Sequence, residues 1–348
     1  MSSITASRSQ LSPSVLFLVG PESTTSDSEP AWNHQLVDFL RHRGLSCTTA
    51  NWGDPNLSAS TLALCTHILA LTSGHYIAHI DEFKAFLQQR LTPALTLNPG
   101  LRVLNPPSAL LWNSDKIYLA ELQTAGFPVP PTTFLSAAQP VDYLRFAFAA
   151  WPADGPVVVK PSIGASGHGV HLVAAPHRLT PDDEAALREC VRRASSGSIM
   201  VQEFLPGVAA GELSMYYFGG SCRYAARKLP REGDWRTAPQ YEGSFAPLEV
   251  HHVPADALAV GGKLWSWLRD KFPETEAGGL AYARIDGVMT KDAKFVLMGG
   301  FASARDVKSP PLMARDAEVE LIEPNFGWSY GGTTQVGLDI FYSLITNQ

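Results

Sequence analysis

Apolar residues along this chain follow two rhythms. Short unbroken runs of aliphatic and β-branched residues predict buried strands, and residues recurring every three or four positions predict helices with one face turned to a core. Ser14-Val15-Leu16-Phe17-Leu18-Val19, closed by Gly20-Pro21, reads as a buried strand, and Trp32 to Arg43 has helical spacing through Leu36, Phe39 and Leu40. His67-Ile68-Leu69-Ala70-Leu71 is a second strand, followed by helical spacing through Phe83, Phe86 and Leu87 and by the short strand Arg102-Val103-Leu104-Asn105. This alternation predicts a small parallel-sheet domain over residues 13–107, with Asn105-Pro106-Pro107 as its boundary.

Beyond that boundary the order changes. A helix is predicted from Ser114 to Ala125, ended by Gly126 as a C-cap glycine, and after a proline-rich turn comes the strand Pro156-Val157-Val158-Val159-Lys160. A further helix has Thr180 as its N-cap, Pro181 at its first position, acids from Asp182 to Glu184 in its first turn and Arg192-Arg193 in its last. Ser198 to Leu205 reads as a strand that breaks at Pro206-Gly207 and resumes at Gly211-Glu212-Leu213-Ser214. No internal repeat is present.

The chain has 348 residues, 45% of them hydrophobic, enough for a large core and two or three structural units. Its net charge of −6 comes from scattered residues, with no basic run of the kind that marks a nucleic-acid or anionic-membrane surface. Neither partner is expected. Cys47, Cys65, Cys190 and Cys222 form no C-x-x-C pair, so neither a zinc site nor a disulfide framework is indicated, and a reducing, cytoplasmic setting is expected. Residues 1–12 are Ser-rich without an apolar stretch and read as a disordered leader.

The chemistry begins at Lys160-Pro161-Ser162-Ile163-Gly164-Ala165-Ser166-Gly167-His168-Gly169-Val170. Three glycines let the backbone approach an anion closely, and their amides can cradle phosphate oxygens; no Gly-Lys-Ser/Thr follows, so this is no Walker A loop. Lys160, held extended by Pro161, places an ammonium at the mouth of the loop. Downstream, Glu203-Phe204-Leu205 can offer backbone groups to a purine edge and Glu212 can accept from ribose hydroxyls, although both acids also fit ordinary solvated strand positions. Lys228 and Arg236 are cations on what reads as two arms of a loop. Arg284 and Asp286 alternate on one strand face, as do Glu323 and Asn325, and side chains two apart can converge on one cation or simply pair with each other.

This ordered series, from Asn113-Ser114-Asp115-Lys116 through Val158-Val159-Lys160-Pro161, Gln202-Glu203-Phe204, Gly211-Glu212 and Arg284-Ile285-Asp286 to Glu323-Pro324-Asn325, resembles the ATP-grasp superfamily. It is most similar to the carboxylate-amine ligases of the glutathione-synthetase-like and cycloserine-synthetase-like groups. The resemblance implies a mixed α/β and α+β chain, with a pre-ATP-grasp parallel-sheet domain over 13–107 and an ATP-grasp domain over 108–348 whose lid spans 130–205. It implies ATP and Mg2+, or Mn2+ in its place, as cofactors. Lys116 and Lys160 would hold phosphates, Gly164, Ser166, Gly167 and Gly169 would close over them, and Glu203, Phe204, Leu205 and Glu212 would receive adenine and ribose. Asp286, Glu323 and Asn325 would bind the metal, and Arg284, Lys228 and Arg236 would stabilise the transferred phosphoryl group. The implied reaction turns a small carboxylate, such as an amino acid, into an acyl phosphate that an amine attacks, in a homodimeric enzyme of specialised metabolism. A small-molecule kinase and a nucleotide-binding protein without turnover are the alternatives. Against the family pattern, residues 299–317 are inserted before Glu318, as a surface loop or a gene-model artefact.

Overall fold

The computed structural model describes residues 13–21, 31–72, 76–138, 144, 147–148, 151, 155–164, 167–194, 197–238, 241–275, 277–299 and 335–346. Among them are three sheets. The first has the order β2-β1-β3-β4, made by β1 Ser14–Val19, β2 Ser46–Asn51, β3 His67–Thr72 and β4 Arg102–Leu104, every pairing parallel. As predicted, β1 is apolar on both faces because it is covered on both. Val15 and Phe17 join one core with Leu36 and Leu40 of the helix Ala31–His42, while Leu16 and Leu18 join another with Trp52, Phe83 and Phe86.

The second sheet, β5-β8-β6-β7, is antiparallel, from β5 Thr132–Ser136, β6 Val157–Pro161, β7 His171–Val173 and β8 Ser198–Glu203. Val157 and Val159 of β6 pack under the helix Pro181–Arg193 through Leu187 and Cys190. That helix starts as its sequence predicts: the Thr180 hydroxyl accepts from the Asp183 amide at 3.1 Å, and Asp183 accepts from the Thr180 amide at 2.8 Å.

The third sheet, β11-β10-β9-β12-β13, is also antiparallel, with β9 Glu212–Phe218, β10 Ser221–Leu229, β11 Ser244–Leu248, β12 Tyr282–Met289 and β13 Phe295–Gly299. The helix Ala255–Lys271 lies on it, with Gly261 letting Tyr217 and Met215 approach closely. The helix Gln335–Thr346 adds Phe341 against Phe218 and Tyr282.

One predicted element differs. The helix expected from Ser114 to Ala125 starts late, as Tyr118–Thr124, and a separate helix, Pro107–Asn113, precedes it. Pro107 sits at a first helical position, where its missing N–H costs nothing, so the presumed boundary is a helix start. The break follows from local competition: Ser114 Oγ donates back to the Leu111 carbonyl at 2.7 Å, and Asp115 accepts from the Ile117 amide at 3.1 Å. Residues 198–214 form the expected strand, break and strand. A 3-10 turn, Pro206–Ala210, carries the chain from β8 in one sheet to β9 in another.

Candidate active site

Sheet register places the charged residues of β9, β10 and β12 side by side. Glu212 of β9 faces Lys228 of β10, and Ser214 faces Asp286 of β12. Lys228 Nζ donates to Glu212 Oε1 at 2.8 Å and lies 3.7 Å from Asp286 Oδ1. Asp286 Oδ1 also accepts from Ser214 Oγ at 2.6 Å, and Arg284, two positions back on the same strand face, donates Nε to Oδ1 at 2.9 Å and Nη2 to Oδ2 at 2.6 Å. The side chains of Lys228 and Asp286 are 8% and 9% exposed. Charges buried to that degree are tolerated only as partners. Burial opposes the charge of Arg284, but Asp286, with Tyr216 and Glu212, together outweighs it, so its pKa is raised.

The two lysines on the lid side are in a different condition. Lys160 Nζ donates to Gln202 Oε1 at 2.8 Å, and Gln202 in turn donates to Thr132 Oγ1 at 2.8 Å. Lys116 sits in the helix break, where its amide donates to the Ser162 carbonyl at 3.0 Å and its ammonium donates to the carbonyl of Gly164. Each lysine is part-exposed as a whole residue, yet loss of hydration dominates at its ammonium. It lowers Lys160 to about 8, against the pull of Glu212. It lowers Lys116 to about 7, helped by repulsion from Lys160 and opposed by Asp115. Two poorly compensated ammonium groups close enough to repel one another form a site that an anion would stabilise.

The glycine loop joins β6 to β7 as a hairpin. Gly167 and Gly169 adopt φ of 71° and 69°, a conformation that favours glycine. A Cβ on Gly167 would lie 2.7 Å from the ring of Tyr241, whose hydroxyl donates to the Gly167 carbonyl at 3.0 Å. Arg236 stacks 3.6 Å from the centroid of that ring and donates to Asp234 at 2.8 Å, which holds the Asp234 carboxyl below the usual carboxylate range. Arg236 therefore belongs to the loop facing the glycine hairpin, apart from the Lys228–Asp286 group. Between the two, Thr237 Oγ1 donates to Glu212 Oε2 at 3.1 Å.

In the segment Glu203-Phe204-Leu205, the amides of Glu203 and Phe204 donate to Pro131 and Pro156 carbonyls at 3.0 and 3.1 Å. The Leu205 amide has no acceptor among the described residues. The Phe204 ring meets Trp235 edge-on, centroids 6.0 Å apart. Ser166, Glu323, Asn325 and nearly all of 299–317 lie outside the described residues.

Residues 116–259 match the model of the ATP-grasp domain of prokaryotic glutathione synthetase. Over this segment the chain is similar to an ATP-grasp domain. The matched segment contains Lys116, Lys160, the glycine hairpin, Glu212, Lys228 and Arg236, and ends before Arg284 and Asp286. The chain is 29% identical over 226 residues to glutathione synthetase of Parasynechococcus marenigrum (strain WH8102), covering 65% of this chain and 62% of that protein. It is 26% identical over 196 residues to the cycloserine biosynthesis protein DcsG of Streptomyces lavendulae, covering 56% of this chain and 60% of that protein. The match thus spans about three fifths of these curated relatives. Among solved structures, D-cycloserine synthetase superposes with a TM-score of 0.65 at 21% identity, covering 96% of this chain and 99% of that one. D-alanine–D-alanine ligase from Bacillus anthracis superposes with a TM-score of 0.58 at 14% identity, covering 83% and 86%. The likeness in fold to these ligases extends across the three sheets.

Sequence reasoning passed over three members of this group of side chains. Ser214 is assigned no part by its sequence context because its contact with Asp286 exists only through β9–β12 register. Tyr241 and Thr237 lie in an irregular loop where no periodicity speaks for them.

Proposed function

We propose that this protein is an ATP- and Mg2+-dependent ligase that activates a small carboxylate, an amino acid or a related metabolite, as an acyl phosphate and joins it to an amine. The observation that carries this reading is the pair of desolvated ammonium groups, Lys116 and Lys160, next to the buried Glu212–Lys228–Asp286–Arg284 group. Such an arrangement positions and neutralises a transferring phosphoryl group without a protein nucleophile.

In this reading Lys116 and Lys160 bind the nucleotide phosphates, under the amides of the hairpin 164–169. The Leu205 amide is available to an adenine ring nitrogen, and Phe204 and Trp235 flank it. Glu212 accepts from the ribose while keeping Lys228 in place. Arg284 faces the charge that develops on the transferred group. The donor set around Asp286, a carboxylate with a hydroxyl at 2.6 Å and a second carboxylate two residues away in register, consists of hard oxygens. It fits Mg2+, which takes one or two carboxylates together with phosphate oxygens. Asp286 would hold the ion, with Glu323 and Asn325 as further ligands. When bound, Mg2+ neutralises and orients the phosphates. The relatives named for glutathione synthesis and cycloserine biosynthesis support ligation of an amino-acid-like carboxylate, the latter in specialised metabolism.

The purified chain, given ATP, MgCl2 and pairs of amino acids and amines, should release ADP only with the right carboxylate. Hydroxylamine should then trap a hydroxamate. Asp286→Asn should lower turnover by roughly 100-fold or more. ADP release with a phosphorylated hydroxyl product and no hydroxamate would make the protein a kinase and reject the ligase reading.

A further inference from the structure

A cavity of about 730 Å3 opens at the end of the third sheet opposite the active-site group. Phe218 and Tyr282 face each other there, four positions along β9 and β12 from Ser214 and Asp286, on the order of 14 Å away. The reacting atoms of a nucleotide bound at Lys116, Lys160 and Asp286 are therefore out of its reach. Its volume is in the range of small-molecule pockets, roughly 300–1,000 Å3.

The floor is apolar, made by Leu104, Phe218, Trp265, Leu280 and Leu344. The charges around it are unbalanced. Its two carboxylates are already engaged, Glu274 with Arg269 at 2.9 Å and Asp339 with Arg43 at 3.1 Å. Arg102 at the start of β4 and Arg223 on β10 also line the cavity, are exposed, and have no acidic partner among the described residues. The ionisable neighbour across the ladder from Arg102, His67, is pushed down to about 4 by burial and by Arg102 itself, so it is uncharged near neutrality. Two glycine pairs complete the rim. Gly219-Gly220 turns β9 into β10, Gly278-Gly279 leads into β12, and all four have positive φ. An added Cβ on Gly219 or Gly220 would meet nothing within 4 Å, so the turn leaves open space at the mouth.

We propose that this cavity is a second ligand site, separate from the nucleotide site, for a small molecule with an apolar body and one anionic end. The body lies on the Phe218–Trp265–Leu280 floor, and the anionic end meets Arg102 and Arg223, the two guanidinium groups whose charge nothing described in the protein answers. In a chain of net charge −6, two unanswered arginines over an apolar hollow are a local exception, and an exposed rim lets the ligand enter without unfolding anything.

The site is tested without ATP, so its failure and that of the ligase reading are distinguishable. Four probes are titrated into the full chain by calorimetry and ligand-observed NMR: 4-phenylbutyrate, phenyl phosphate, 4-phenylbutanol and inorganic phosphate. Expected is binding of one or both amphiphilic anions, with the alcohol and inorganic phosphate at least about tenfold weaker. The head group that binds better identifies the ligand's anion. Arg102→Gln with Arg223→Gln should weaken that binding by about tenfold or more while a fluorescent ATP analogue binds as before. Both side chains are exposed, and a thermal melt of the variant verifies its fold; the single Arg223→Gln should still weaken binding measurably. No binding by the folded wild type, equal binding of the alcohol, or unchanged binding in the double variant would each overturn the site.

Discussion

The two ends of the five-stranded sheet treat charge in opposite ways. At one end Glu212, Lys228, Arg284 and Asp286 are taken out of water and answer one another within 2.6–3.7 Å. At the other, Arg102 and Arg223 stay in water and answer nothing described in the chain, above a floor that is mostly apolar. The same two strands, β9 and β12, run between them. Buried charges must be complete before any ligand arrives, because each unpartnered one would cost several kcal/mol; exposed ones can wait for a ligand at little cost.

The largest effect should come from breaking the complete end. Asp286→Ala leaves Arg284 buried without its carboxylate and should lower stability by about 3–5 kcal/mol in urea melts. A loss under about 1 kcal/mol would mean that this end is solvated like the other. Lys116 sharpens the comparison, since it is desolvated at the proposed nucleotide end without a compensating carboxylate at hydrogen-bond distance among the described residues. Its folded pKa of about 7 is below the ordinary lysine value of 10.5, so between these values the unfolded chain binds more protons and stability rises with pH. Lys116→Met should therefore stabilise the nucleotide-free protein at pH 6.5 and lose that advantage by pH 10, a difference on the order of 1–2 kcal/mol once solvent screening is allowed for. Parallel curves for the two proteins would contradict it.

A smaller effect belongs to the loop that joins hairpin and sheet. Tyr241→Phe removes a hydrogen bond to Gly167 and leaves the ring under Arg236; a loss of about 1 kcal/mol should raise the apparent KM for ATP roughly fivefold. Stability in the absence of ATP should hardly change. The smallest effect belongs to the open end. Arg223→Gln should shift stability by less than about 0.5 kcal/mol, and its whole consequence should appear in anion binding at the cavity.

What was legible in the sequence was what is local. The valine run ending in Lys160, the glycine loop after it, the Thr180 cap and the same-face spacing of Arg284 and Asp286 are all properties of a few adjacent residues, and the structure has each of them in the predicted form. The sequence reading left the Arg284–Asp286 spacing open between a cation site and an intrastrand pair, and the pair is formed. The helix Pro107–Asn113 was missed because Asn105-Pro106-Pro107 reads as a boundary, and the next helix starts only at Tyr118 because Ser114 and Asp115 divert the backbone bonds before it. Ser214, Tyr241 and the unanswered arginines depend on which strands become neighbours. No window of sequence contains that.

The two-faced burial of β1 has a consequence for how its neighbours find it. In a strand with one wet face, a slip of one residue exposes the apolar set and is rejected for that reason. β1 has no wet face: a slip would exchange Val15 and Phe17 for Leu16 and Leu18 and still bury all four. Alignment must come from somewhere else, and Thr66 supplies it. Its hydroxyl accepts from the Ser14 amide and donates to the Ser14 carbonyl, both at 2.9 Å, pinning the first residue of β1 independently of which side chains enter which core. One threonine outside the strand thus acts as the index mark from which the pairing of the parallel sheet is counted.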